Sequence, residues 1–356
     1  MGAFALRGAA PRWWAALAVL VALTYLAYGG ARDVTRLEGR TMGTTYRVVL
    51  GAPLRRAEAD SLQAEIDRLL AEINASMSTY DPSSELSRFN AHASTALFPA
   101  SPALLEVVGM AQAVSRASDG AFDVTVGPLV DAWGFGPKSP PKHALDDAEI
   151  AALKAHVGHA LLGVEGSALV KAHPALRVDL SAIAKGYGVD RVAKLLEARG
   201  LNDHLVEIGG EVRARGMTRG RPFRVGIEEP DGGETRARMT LELHGRSLAT
   251  SGNYRNFYDL DGRRYVHTID PRSGRPAVSR LLSASVLHQE CALADAWATA
   301  LMVAGHARAA ALAESAGLEV ILLLGTEGGA IEEHLTLRGG ATRVDSGALA
   351  AGSSDP

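Results

Sequence analysis

The sequence predicts an α+β fold: a mixed, largely antiparallel sheet packed with helices in one domain. Three observations lead there. Segments of strand and helix periodicity do not alternate regularly along the chain. Strand segments are joined by hairpin signals, the strongest being Asp261-Gly262. No break in composition divides residues 36–340, which read as one domain between a leader at 1–31 and a flexible tail at 341–356.

The elements follow in order. Residues 41–50 read as a strand entered from a tight turn at Met42-Gly43-Thr44. Between 57 and 77, Leu62, Ile66, Leu69, Leu70 and Ile73 recur at helical spacing, with charges on the other face. A polar loop at 78–84 ends on Ser84, which opens a short helix. Pro102 is placed to start a second long helix and Asp119-Gly120 to stop it. Residues 121–126 look strand-like, a glycine-rich loop with 133–136 follows, and 138–142 is a Pro-rich loop. Residues 177–180 read as a short strand feeding a helix over 182–199 that Gly200 ends. Strands follow at 204–208, 223–227 and 239–243, then a hairpin within 254–269 and a strand at 281–287. Helices near 290–303 and 307–316 precede an apolar strand at 318–324. The tail is rich in Ala, Gly and Ser.

Composition narrows the function. Hydrophobic residues are 47% and charged residues 22% of the 356, ordinary for a globular protein with a sizeable core. The net charge of −3 gives no basic field for nucleic acid, and no nucleic-acid-reading motif is present. Glycines number 38 but form no repeat, which excludes collagen-like architectures. The single cysteine, Cys291, forms no internal disulfide and reads as a buried, inert thiol on a helix. Arg7 and Arg12 precede an uncharged run at 13–28, slightly short of the roughly 20 residues a full span needs. A signal peptide or a signal anchor is expected, so the protein is exported. No cysteine lies near the small residues Gly29-Gly30-Ala31, so attachment through a lipidated cysteine is excluded.

Four constellations could carry chemistry. At 178–186, a strand leads into a helix whose free N–H groups, with Lys185, suit an anion such as phosphate; Asp179 either contacts a ligand or caps the helix. At 249–255, small polar residues and Gly252 allow close backbone approach, or form a plain turn. At 267–276, His267 stands beside Asp270, Arg272 and Arg275, a candidate base at a loop mouth. At 294–302, Asp295 and Thr299 lie at i and i+4, two oxygens on one helix face in Ala-, Leu- and Met-rich surroundings. A buried unpaired carboxylate is costly, and a hard cation such as Mg²⁺ would offset that cost.

Together these segments resemble the FAD:protein FMN transferases, the ApbE family of exported flavin transferases. The likeness covers about residues 37–332 and rests on ordered motifs: TMGT at 41–44, MSTY at 77–80, GAFDVTVGPLV at 120–130, WGFG at 133–136, VDLSAIAKGY at 178–187, EIGGE at 207–211, ATSGNYRNF at 249–257, HTIDPRSGRP at 267–276 and ADAWATALM at 294–302. The resemblance implies cleavage of the FAD pyrophosphate, transfer of FMN to a threonine hydroxyl of an acceptor protein, and release of AMP. It implies that Met42, Tyr80, Ala121, Phe122, Asp123, Asp179, Lys185 and Ile269 bind FAD. It implies Mg²⁺ held by the side chains of Asp295 and Thr299 and the carbonyl of Ala182, with His267 needed for transfer. The base is His267, or Asp270 or a neighbouring carboxylate; Tyr80 or Phe122 stacks on a ring of FAD. Implied partners are FAD and an acceptor flavoprotein subunit, on the periplasmic or extracytoplasmic side of the inner membrane, with membrane contact only through the N-terminal segment. Many relatives carry a lipidated cysteine after the leader, and this chain departs from them there. Two alternatives use the same residues: an Mg²⁺-dependent FAD pyrophosphatase giving FMN and AMP, and a non-catalytic exported FAD-binding protein.

Overall fold

The computed structural model describes residues 34–136, 141, 143–230, 236–254 and 256–344. The expected leader, most of the Pro-rich loop, Arg255 and residues 345–356 of the expected tail lie outside them.

The frame is an eight-stranded sheet whose spatial order is its order in the chain. Its strands are β1 (Thr35–Thr41), β2 (Thr44–Leu50), β3 (His204–Ile208), β4 (Glu211–Arg215), β5 (Ser247–Gly252), β6 (Leu281–His288), β7 (Glu319–Gly325) and β8 (Ile331–Thr336). Every neighbouring pair is antiparallel, so the architecture is the expected α+β class. The long excursions leave between strands. Helices α1 (Arg56–Met77), α2 (Glu85–Ala91), α3 (Pro102–Ala117), α4 (Gly127–Ala132), α5 (Asp147–Lys154) and α6 (Ala184–Ala198) fill the gap from β2 to β3. Helix α7 (Cys291–Ser315) bridges β6 and β7.

Side chains alternate across the sheet with the period of two that the pleat imposes. Val48, Val206, Ile208, Val286 and Leu322 join the core under the helices. Their neighbours Val49, Leu205, Leu287, Ile321 and Leu323 join a second core on the opposite face. That face is covered by a four-stranded sheet in the order Ala341–Val344, Ala237–Leu243, Arg221–Glu228, Met217–Thr218. Both faces of the main sheet are therefore dry, which is why its central strands are apolar at successive positions.

Local chemistry sets the elements. Met42 (φ 49°) and Gly43 (φ 71°) are both left-handed between the paired ends of β1 and β2, as a two-residue type I′ turn requires. The Asp261-Gly262 pair turns in the same way, with φ of 50° and 73°, between Phe257–Leu260 and Arg263–Val266. Helix α1 buries Leu62, Ile66, Leu70, Ile73 and Met77 on one stripe, while Leu69 at its edge is only partly buried. Ser101 caps α3 by accepting the Leu104 N–H at 3.3 Å, with Pro102 in the first turn. Helix α7 is apolar all round because it is enclosed all round for its first half, between β5, β6 and α6. Gly305 (φ 70°, ψ 177°) breaks it near the gap expected between two helices.

Four expectations are corrected. Residues 121–126 are not a strand: Asp123 caps a 3₁₀ turn over Val124–Val126, its Oδ1 accepting the Thr125 N–H at 2.8 Å. Residues 177–180 are extended but have no ladder partner; the Asn90 side chain instead takes the Val178 N–H at 2.7 Å and donates to its carbonyl at 2.8 Å. The segment before the hairpin is not a loop but β5, held between β4 and β6. Finally, Ala341–Val344 belongs to no flexible tail: it pairs with Ala237–Leu243, and the domain runs at least from Thr35 to Val344.

Candidate active site

The helix side of the sheet opens on a cavity of about 490 Å³. Its floor is where α6 meets α7. A Cβ on Gly186 would lie 2.3 Å from the Cys291 carbonyl oxygen, so only glycine lets the two backbones approach this closely. That approach brings the Gly186 N–H to Asp295 Oδ2 at 3.1 Å. It also sets Lys185 Nζ 2.8 Å from Glu211 Oε1 and 3.7 Å from Asp295 Oδ1. One turn along α7, the Thr299 hydroxyl lies 3.1 Å from that of Ser251 on β5. Asp295, Thr299, Lys185 and Ala182 all line the cavity. Ala182 lies in the turn just before α6, which starts at Ala184 rather than at 182.

One wall is the Gly209-Gly210 turn between β3 and β4, flanked by Glu207 and Glu211. Glu207 Oε1 accepts the Gly210 N–H at 2.9 Å. Thr44 Oγ1, Glu207 Oε2 and Glu211 Oε2 are buried here without a hydrogen-bond partner among the described residues. The opposite wall carries Ala121, Phe122, Asp123 and Asp179. Both carboxylates are engaged by backbone donors, Asp123 across to another segment and Asp179 within its own turn. Asp123 Oδ2 accepts the His159 N–H at 2.7 Å, and Asp179 Oδ1 accepts the Ser181 N–H at 2.8 Å. Tyr80 stands at the mouth with 65% of its surface exposed.

His267 follows directly on the second hairpin strand, Arg263–Val266, and Ile269 opens the short strand Ile269–Asp270. The His267 N–H donates to the Asn256 carbonyl at 3.1 Å, closing the hairpin's base. A run of rings backs this wall: Trp133 on Tyr265 at 5.4 Å, Tyr265 on Tyr258 at 5.4 Å, Tyr258 beside Phe135 at 5.2 Å, and Phe135 edge-on to His267 at 6.4 Å. Trp133 Nε1 donates to the Gly274 carbonyl at 2.9 Å and ties the run to the following loop. Asp270 is turned to Arg272, whose Nε donates to Oδ1 at 2.9 Å, and it is not among the residues lining the cavity.

The electrostatics follow from burial. Asp295 and Glu211 are each 3% exposed. Burial pushes both carboxyls above the ordinary range, and the neighbouring Lys185 ammonium pulls them back toward the ionised form. Burial opposes the Lys185 ammonium too, but Asp295 and Glu211 outweigh it and raise its pKa. The His267 ring is half-buried, and burial, with a smaller push from Lys185, lowers its pKa below 6.5. A neutral imidazole near neutral pH can accept a proton.

Of the twelve residues singled out from sequence, eleven line this cavity. Met42 does not: it packs behind the floor, its Cε 3.0 Å from where a Cβ on Gly188 of α6 would be. The cavity also includes Thr44, Glu207, Glu211 and Glu228, to which sequence reasoning gave no role, and Ser251 and Tyr254 from the 249–255 segment. Glu207 and Glu211 had a visible signal, two acids flanking a glycine pair. Glu228, which accepts the Tyr254 hydroxyl at 3.2 Å, had none.

The donors suit a hard divalent cation. Asp295 and Thr299 offer oxygens one helical turn apart in the same cavity. Among the described residues, no group of three or more His, Cys, Asp or Glu side chains forms a closed metal cage. Such a donor set fits Mg²⁺, which takes few protein oxygens and keeps positions for water and phosphate.

Fold and cavity together define an α+β protein with an acidic pocket that carries one lysine, Lys185. The chain belongs to the ApbE family, whose model matches residues 42–322. It is 44% identical over 318 residues to an FAD:protein FMN transferase of Vibrio cholerae, covering 89% of this chain and 95% of that one. It is 41% identical over 294 residues to an FAD:protein FMN transferase of Salmonella typhimurium, covering 81% and 83%. The solved flavin transferase ApbE from Vibrio cholerae superposes with a TM-score of 0.79 over 85% of this chain and 97% of that one. The apo flavinyl transferase ApbE of Pseudomonas stutzeri, 36% identical, gives 0.77 over 85% and 95%.

Proposed function

We propose that this chain is an FAD:protein FMN transferase that moves FMN from FAD to a threonine hydroxyl of an acceptor protein and releases AMP. The observation that carries the reading is the meeting of Lys185, the Asp295–Thr299 oxygen pair and His267 in one cavity large enough for a cofactor-sized ligand.

FAD enters with its pyrophosphate over the floor, where Lys185 faces the phosphate oxygens. Asp295, Thr299 and the Ala182 carbonyl would hold Mg²⁺. When bound, the cation neutralises charge on the pyrophosphate. Tyr80, at the mouth, and Phe122, on the wall, are the two candidates for stacking on a ring of FAD. The acceptor threonine Oγ attacks the flavin-side phosphorus. Its bond to the bridging oxygen breaks, and AMP leaves. His267 takes the threonine proton; Asp270, occupied by Arg272, is the poorer candidate. The aromatic run behind His267 keeps the ring at the wall and helps exclude water, the competing nucleophile.

Residues 1–31 export the domain, and it works on the periplasmic or extracytoplasmic side, attached to the membrane through that segment if it is not removed. Among the described residues, no helix is long and apolar enough to cross a membrane. Mass spectrometry of the N-terminus from fractionated cells distinguishes a cut leader from a kept anchor.

The activity test incubates the protein with FAD, MgCl₂ and an acceptor domain. It reads in-gel flavin fluorescence of the acceptor together with AMP release. Equal AMP and labelled acceptor support transfer. Free FMN at high turnover with no labelled acceptor makes the protein a pyrophosphatase. FAD binding without AMP release makes it a carrier.

A further inference from the structure

We propose that Glu211 is a positioning residue: it holds the Lys185 ammonium away from Asp295, leaving Asp295 open to the divalent cation and Lys185 directed at the pyrophosphate. The inference rests on the transferase reading above and gives a role to a residue outside that mechanism.

The argument begins with one cation between two anions. Among the described residues Lys185 forms two ion pairs, at 2.8 Å to Glu211 and 3.7 Å to Asp295. The nearer is a full charge-assisted hydrogen bond; the farther is a through-space attraction. Both carboxylates are 3% exposed, so water screens neither strongly and they compete for the one ammonium. Asp295 Oδ2 already accepts the Gly186 N–H at 3.1 Å. If Lys185 closed on Oδ1 as well, both oxygens of the proposed metal ligand would be engaged.

The position of Lys185 is set from its backbone outward. Its backbone is fixed at the start of α6, where Gly186 abuts Cys291. Its stem crosses the Gly209-Gly210 turn, with Cδ 3.3 Å from where a Cβ on Gly209 would be. Glu211 opens β4 in register opposite Ile208, so its carboxylate is held by the main sheet rather than by a loop. Glu207, the other acid at the turn, is committed to the Gly210 N–H and is not an ion-pair partner of Lys185. Glu211 is thus the nearer of the two carboxylates that compete for Lys185.

The test is a double-mutant cycle on the full chain with Glu211→Gln, Lys185→Met and both together. Mg²⁺ affinity is read by calorimetry with FAD bound, beside KM for FAD and kcat for acceptor labelling. Glu211→Gln is expected to weaken Mg²⁺ binding about tenfold, the scale of a lost supporting partner of a metal ligand. In the Lys185→Met background the same substitution is expected to change Mg²⁺ affinity less than about twofold, because no ammonium remains to be held off. Equal weakening in both backgrounds would mean that Glu211 acts by its own charge and overturns the proposal. No weakening in either also overturns it. If Glu211→Gln fails to fold by circular dichroism, Glu211→Asp is used in the same cycle, with a smaller loss expected. A wild-type protein that binds Mg²⁺ but labels no acceptor instead refutes the transferase reading.

Discussion

At the scale of the residue, the site separates groups by environment. His267 is kept neutral by burial, whereas Asp295 and Glu211 are kept near one lysine. Because its pKa is lowered, the His267 imidazole remains a base at pH values where an ordinary histidine is already protonated. Transfer at saturating FAD and Mg²⁺ is therefore expected to fall on the acid side with a midpoint below 6.5. A pH profile of kcat checks this, and a midpoint above 6.5 removes burial as the controlling effect. His267→Ala is expected to lose roughly 10²–10⁴ in rate, the usual contribution of a general base, while FAD affinity is retained. Fluorescence quenching of bound FAD separates the two effects. The histidine was legible from its neighbours in sequence. The role of Glu211 was not, because Lys185 meets it only when α6 packs on β4.

At the scale of the element, two backbone arrangements decide the site. The first is the contact of α6 with α7. Gly186→Ala would put a methyl group against the Cys291 carbonyl and push the helices apart, costing about 1–3 kcal/mol as overpacking does, together with most transfer activity. Gly109→Ala is the contrast: Gly109 is exposed within α3 with nothing within 4 Å of the added carbon, so a gain of about 0.5–1 kcal/mol is expected. Urea denaturation of both variants measures the difference. The second arrangement is the Asn90 bracket. Asn90 stands in for a sheet neighbour of Val178, and the buried Lys171 ammonium donates to the Leu176 carbonyl at 3.2 Å just upstream. Asn90→Ala leaves the N–H and carbonyl of Val178 unpaired next to Asp179, so KM for FAD is expected to rise several-fold with a smaller change in kcat. The sequence misled here for a physical reason. Residues 177–180 are extended like a strand, but a side chain supplies their partner. Thr250-Ser251-Gly252 has turn chemistry, yet β6 beside it imposes the ladder. Where the pattern was set by one continuous apolar face, as in α1, or by an Asp-Gly turn between two strands, it was readable from the chain alone.

At the scale of the whole molecule, the main sheet divides labour between its faces. The helix face carries the cavity; the other is covered by a second sheet that contributes Glu228 to the cavity wall. Ile321 is fully buried in that second core, among side chains such as Phe223 and Leu241. Ile321→Ala is expected to cost about 2–5 kcal/mol, lowering the melting temperature while KM for FAD stays unchanged at temperatures where the protein is folded. A parallel rise in KM would mean that the two faces are not independent. The two-core arrangement was partly legible: successive apolar residues at 318–324 indicate a strand buried on both sides. What covers the second face was not, since Ala341–Val344 is short and mixed in character and lies beyond the glycine pair at 339–340.

The spatial order of the main sheet also fixes a sequence of events in time. Strands that lie side by side in chain order can dock one after another as the chain becomes available. The cavity, by contrast, takes lining residues from Thr44 through to Val303. Asp295 and Thr299 arrive only with α7, after six of the eight strands have been laid down. A chain emerging N-terminus first, from a ribosome or through a translocation pore, therefore has no complete pocket until nearly all of the domain is out. A partly emerged chain cannot hold the full set of ligand and metal donors, and loading is confined to the compartment in which folding finishes.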